Sequence, residues 1–195
     1  MRPLSLSRRA AMASLVATSV LAACSSPAPK VYTLTSTAGT AAGGGRPVSA
    51  AVAAVEIPKY LDRPQIIRRS GAVELGVAEF ERWGEPLANM VQRVLAADLS
   101  SRLPAGSVVT TSRTLSGDET LTVEVAVGRF DQDADGTIVL EAQWRLRGKG
   151  PRRANTETTR ITRRPADQGT AAQVQAMSEA LGDLADRIAA QVRGR

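Results

Sequence analysis

The stretch ETLTVEVAVGRFDQDADGTIVLEAQWRLRG, residues 119–148, decides how this chain folds. Its first half sets Leu121, Val123, Val125 and Val127 on one side and Thr122 and Glu124 on the other, the period of a half-buried strand. Phe130 is out of phase with that set, and Gly128 between them predicts a bulge. The second half alternates again, with Ile138, Leu140, Ala142, Trp144 and Leu146 pointing one way. Between the halves, DQDADG (131–136) copies the opening of a calcium loop. The twelfth position, where a bidentate glutamate belongs, is Ala142, and the flanks are strands rather than helices. Asp and Gly supply turn geometry instead. The reading is a long hairpin with a solvated turn, and no metal site.

Two helical faces lie on either side of it. Leu87, Met90, Val91, Val94, Leu95 and Leu99 recur at helical spacing, with Pro86 in the first turn and Pro104 and Gly106 as the stop. Val174, Met177, Leu181, Leu184, Ile188 and Val192 form a second face. Short strands are expected at VYTL (31–34), VSAAVAAVEIP (48–58), QIIRR (65–69), AVELGVA (72–78) and SVVTTSR (107–113), the third and fourth joined by a turn at Ser70 and Gly71. TETTRITRR (156–164) reads as a polar edge strand whose arginines discourage further pairing. TSTAGTAAGGGRP (35–47) reads as a mobile loop. Strands, helix, strands, helix in that order predict an α/β (α+β) sandwich, one mixed β-sheet carrying two main helices.

The amino terminus places the protein. Arg2, Arg8 and Arg9 precede an apolar stretch at 10–23, too short to span a bilayer but suited to a secretory signal. It ends in LAAC, the lipobox pattern in which Cys24, the sole cysteine, is acylated and becomes the mature terminus. Residues 1–23 are read as a lipoprotein signal peptide, 24–30 as a Pro/Ser-rich tether and 31–195 as a single domain. Ser25 after the cysteine favours the outer membrane.

Composition narrows the function. The formal charge of +6 falls to +3 once the three leader arginines are removed, and the basic residues are dispersed. An exported chain of this kind is not expected to bind nucleic acid, though weak attraction to anionic lipid remains. The chain has no histidine, which removes the commonest general base and metal ligand. With Cys24 acylated and no Ser-x-x-Lys spacing, a non-enzyme without cofactors is expected. A periplasmic hydrolase is the weakest of the readings.

Two stretches carry residue types enriched at protein interfaces. They are YLDRPQIIRR (60–69), with Tyr60, Leu61, Asp62, Arg63 and Pro64, and ERWGEPL (81–87), with Arg82, Trp83 and Glu85. Pro64 holds Arg63 extended at the entry to a strand. The plainer account is that Asp62 pairs with a nearby arginine, Trp83 caps the core and Pro86 starts the helix.

Taken with the lipobox, the YxL strand after it, IPKYLDRPQI, RWGEPL and the closing helix, the chain resembles the PqiC (YmbA) family of auxiliary lipoproteins in MCE-type transport. The resemblance implies an anticodon-binding-domain-like sandwich on an outer-membrane lipoprotein facing the periplasm. It implies an adaptor role in an ABC-associated intermembrane lipid transport system that contributes to envelope integrity. The implied partner is a PqiB-like MCE-domain protein anchored in the inner membrane, and a homo-oligomer is possible. Its departures are the long TAGTAAGGG loop and the Arg-rich strand near Arg160 and Arg164. The alternative is a periplasmic lipoprotein that carries hydrophobic cargo itself, against which the six aromatics speak.

Overall fold

The computed structural model describes residues 28–40, 45–111, 119–149 and 155–194. The expected signal peptide, 1–23, and Cys24 lie outside the described residues. The elements run β1 (Lys30–Tyr32), β2 (Ser49–Val52), β3 (Gln65–Arg69), β4 (Leu75–Trp83), α1 (Leu87–Arg102), β5 (Val108–Thr110), β6 (Leu121–Gln132), β7 (Ile138–Gly148), β8 (Thr156–Arg163) and α2 (Thr170–Arg193).

The 119–148 hairpin is the centre of one mixed sheet. β6 pairs antiparallel with β7 from Leu121↔Gly148 to Gln132↔Ile138, and the register slips between Val127 and Arg129, at the predicted bulge. The slip carries Phe130 to the core side, where it is 1% exposed. Burying a side chain of that size contributes about 2–3 kcal/mol, enough to hold the irregularity. The turn closes through Asp133 N–H to the Thr137 carbonyl at 2.7 Å, with Gly136 at φ +87°. β6 has two partners on its other flank, β2 parallel beside residues 121–123 and β3 at Gln132. β4 pairs with β3 and, beyond it, with β1; β5 pairs with β2; among the described residues β8 pairs only with β7. The Arg-bearing β8 is therefore an edge, as its sequence predicts.

Both helices cover one face. Every residue of the two predicted apolar stripes is buried, and the α1 and α2 stripes share one core with the inward set of β6 and β7. Trp144 packs there while its indole Nε1–H donates to Thr159 Oγ1 at 3.0 Å. The opposite face carries cross-strand ion pairs, Arg145 directly opposite Glu124 with Arg147 diagonal to it, and Arg160 opposite Glu141. Exposed pairs of this kind contribute about 0–1 kcal/mol each, so this face is chiefly solvated rather than stabilising.

Three expectations are corrected. The strand expected over 48–58 is regular only through Val52; beyond it the chain follows β6 irregularly, with Ala53 N–H on the Val123 carbonyl and Val127 N–H on Glu56. The turn at Ser70 and Gly71 is a wider loop, closed by Ser70 N–H on the Glu74 carbonyl. The described start of the loop expected to be mobile is a strap held between the helices. Thr35 N–H donates to Ser178 Oγ, Thr37 N–H to Asp98 Oδ1 at 2.7 Å, and Arg102 Nη1 to the Thr37 carbonyl at 3.0 Å. A Cβ at Gly39 would stand 2.3 Å from Arg102 Cγ, and one at Gly182 2.2 Å from Thr37 Oγ1, so both glycines permit the close passage. Burial pushes the Asp98 carboxyl above its ordinary value, against the opposing Thr37 bond and Arg102 charge.

Candidate partner-contact surface

The β3–β4 hairpin brings the two interface-like stretches together at its open end. Gln65 lies opposite Arg82, and Trp83 N–H donates to the Pro64 carbonyl at 2.7 Å. On the far side of β4, Val31 lies beside Arg82, and Gly84 N–H donates to the Tyr32 carbonyl. The register then jumps from Gln65↔Arg82 to Ile66↔Ala78, so β4 bulges between the two pairings. Pro64, with no N–H to give, stands where only its carbonyl is needed.

The eight residues divide by depth. Asp62, Arg63, Pro64 and Arg82 are exposed, Tyr60 and Glu85 half-buried, Leu61 and Trp83 buried. Trp83, at 8% exposure, belongs to the core, as the plainer account expects. Asp62 pairs with Lys59 at 3.2 Å, not with an arginine. Glu85 is engaged by Arg93 at 2.7 Å. Among the described residues neither Arg63 nor Arg82 is in an ion pair, which leaves two guanidinium groups on the surface beside the hairpin base. Each presents a planar fork of donors suited to a partner carboxylate.

Tyr60, at the start of residues 60–64, is held by a buried carboxylate that the sequence reading does not place. Asp131 is fully buried; its Oδ2 accepts from the Tyr60 hydroxyl at 2.7 Å, and its Oδ1 from Arg129 Nε at 2.8 Å and Arg69 Nε at 3.2 Å. The Arg69 guanidinium also lies 5.8 Å from the Tyr60 ring centroid. The Tyr60 phenol is pushed up to about 12, by burial first and then by its bond to Asp131 and that carboxylate's charge, with Arg69 opposing. Asp131 opens the calcium-like hexapeptide, but its oxygens are taken by these three donors. Its one legible signal is the Gly128 bulge, which reverses the phase and sends Asp131 away from the helices. Among the described residues no cluster of metal-ligating side chains occurs.

Two hollows flank these elements. A cleft of about 870 Å³ is lined by charges of both signs, Lys30, Arg68 and Arg164 against Glu81, Asp133 and Asp167. Within it Arg68 Nη2 donates to Glu81 at 2.7 Å and to Thr170 at 2.6 Å. Another hollow, about 480 Å³, lies along β6 and β7 with Glu124, Gln143 and Arg145 in its wall. Neither offers the apolar lining that an acyl chain requires.

A family described as "ABC-type transport auxiliary lipoprotein component" matches residues 32–189. The intermembrane transport lipoprotein PqiC of Escherichia coli is 30% identical over 96 residues, covering 49% of this chain and 50% of that protein. The Shigella flexneri protein of the same name aligns equally. The chain thus spans about half the length of the curated relatives it matches. A crystal structure of an uncharacterized protein superposes with a TM-score of 0.72 at 23% identity, over 85% of this chain and 99% of that one. A Xanthomonas campestris protein gives 0.70 at 19%, over 84% and 94%. These structural likenesses show the mixed-sheet α+β fold.

Proposed function

The chain belongs to the family of ABC-type transport auxiliary lipoprotein components, and from that membership we propose that it is an adaptor, a lipid-anchored domain that docks a tunnel-forming partner. Cys24 carries the acyl chains and holds the domain on the outer membrane, facing the periplasm. More than one chain is needed for a stable anchor, and a triacylated cysteine meets that condition. The partner is an MCE-domain protein of the PqiB kind, anchored in the inner membrane. The assembly moves lipid or other hydrophobic molecules between the membranes and so contributes to envelope integrity.

One observation carries the choice of surface: Arg63 and Arg82, exposed and in no ion pair among the described residues, each immediately precede one partner of the Trp83–Pro64 bond that ties the hairpin base. Tyr60, Leu61 and Trp83 act from beneath, holding the surface rather than forming it. The cargo-carrying alternative has less support, because the two hollows noted among the described residues have charged and polar side chains in their walls.

The test is co-purification of the MCE-domain partner from solubilised membranes by wild type and by an Arg63→Ala/Arg82→Ala variant. The variant is expected to keep its stability within about 0.5 kcal/mol, since both side chains are exposed. Two arginine anchors of about 1–2 kcal/mol each correspond to partner retention roughly thirty- to a thousandfold weaker. Equal retention by a variant of normal stability removes the surface assignment. Trp83 is unsuitable for this purpose, because its substitution would open the core.

A further inference from the structure

Val73 stands at the tip of the β3–β4 hairpin with 97% of its surface in solvent, and Leu75 and Phe80, at 37% and 47%, follow it along β4. A lone exposed valine is ordinary. Its position relative to the lipid-bearing end of the chain is not. β1 runs parallel to β4, with Lys30 beside Glu81, so the chain enters β1 from the side on which β4 begins, the tip side. Cys24 precedes Lys30 by six residues, a reach of about 20 Å at full extension. Leu75 lies six residues back along β4 from Glu81, and the bulge between the two pairings with β3 makes that separation shorter than the about 20 Å of a regular strand. The tip is therefore within the reach of a tether of that length entering β1 from the same side.

From this placement we infer that the tip, SGAVEL at 70–75, enters the lipid leaflet beside the acyl chains of Cys24 as a second membrane contact. The inference rests on the anchoring of Cys24 proposed above. The segment suits the role: it carries one charge, Glu74, and a side chain at Gly71 would meet nothing within 4 Å. Two apolar side chains at the boundary between head groups and acyl chains gain by the same burial that drives interfacial helices. An acyl anchor alone leaves the domain free to tumble on its tether. A second contact fixes its tilt and stands the Arg63/Arg82 base off the leaflet by the five residues of β3, about 17 Å. The two surfaces then lie at opposite ends of one hairpin and do not compete.

The test uses the full lipoprotein, whose only native cysteine is the acylated one, so an introduced thiol is labelled uniquely. An environment-sensitive fluorophore is placed through Val73→Cys and, as a control, through Val108→Cys on β5. Val108 is also well exposed, and its strand joins the sheet at the opposite end of β6 from Gln132. Both proteins are reconstituted into vesicles of phosphatidylethanolamine and phosphatidylglycerol, with acylation checked by intact mass and attachment by sedimentation. The expected result is a blue shift at position 73, shielding from aqueous iodide and quenching by spin-labelled acyl chains, with position 108 unchanged from its emission in buffer. An acylated, sedimenting protein whose probe at 73 is as open to iodide as the one at 108 overturns the tip inference alone. Equal shielding at both positions overturns it too. Absence of acyl chains removes the anchoring reading and this inference with it.

Discussion

Removing the Asp131 carboxylate is the sharpest perturbation of the platform beneath the contact surface. Asp131 is fully buried and accepts from three donors, Tyr60, Arg69 and Arg129. Asp131→Ala leaves the Arg69 guanidinium without its counter-charge and Arg129 with Asp133 alone, at 3.2 Å. Breaking a fully buried pair in this way costs about 3–5 kcal/mol. The Arg69 and Arg129 side chains keep 20% and 16% exposure and recover part of their hydration, so about 2–4 kcal/mol is expected. At 2–4 °C per kcal/mol for a domain of this size, the midpoint of thermal unfolding falls by roughly 5–15 °C. Tyr60→Phe removes one bond to a charged acceptor at a half-buried site and costs about 1–2 kcal/mol. In the double variant that second loss disappears, because the acceptor is already gone, and the combined effect is smaller than the sum by about 1 kcal/mol. Circular dichroism melts of the purified lipoprotein in detergent measure all four corners of the cycle. An Asp131→Ala protein within about 0.5 kcal/mol of wild type, or additive losses, would refute the view that this buried carboxylate anchors Tyr60.

Two other consequences follow from the same geometry. The folded state holds the Tyr60 phenol protonated, with its pKa raised from 10.0 to about 12. The stabilisation it brings is therefore complete below pH 10 and is lost as pH rises through about 12. An alkaline titration of tyrosinate absorbance is expected to show a late step that Tyr60→Phe deletes, and its persistence in that variant would contradict the assignment. Gly182→Ala sets a methyl 2.2 Å from Thr37 Oγ1 and is expected to cost about 1–3 kcal/mol by forcing the strap outward. Adding Thr37→Ala removes the clashing oxygen and restores part of the loss in a urea melt; a double variant no more stable than Gly182→Ala would show that the strap does not bear on the helix there.

Much of this architecture is legible in local pattern. Alternation along β6 and β7 sets the hairpin and its inward face, and the phase break between Val127 and Phe130 locates the bulge because a one-residue slip exchanges the faces. The helical stripes of α1 and α2 are equally plain. What eludes the sequence is fixed by long-range contacts. The residues around Thr37 look like linker, yet Asp98, Arg102 and Ser178 from two distant helices satisfy their backbone. Their composition predicts no structure of its own, and the strap borrows its order from the groove.

The proposed contact surface is partly legible for the same reason. The residue types in YLDRP and RWGEP mark an unusual region, but Leu61 and Trp83 turn inward while Arg63 and Arg82 turn outward, and only the pairing of β3 with β4 sorts them. Tyr60 divides its roles, its ring half-buried and its hydroxyl committed to Asp131, seventy-one residues further along the chain. No local pattern announces that bond.

Photo-crosslinking in intact cells tests the adaptor account most directly. A benzophenone side chain is placed in turn at positions 63 and 82, and at Val108 as an exposed control on β5. The account predicts ultraviolet-dependent adducts with a protein bearing MCE domains at 63 and 82 and none at 108. An envelope-localised protein that yields no such adduct at either arginine position, or yields it equally at 108, contradicts it.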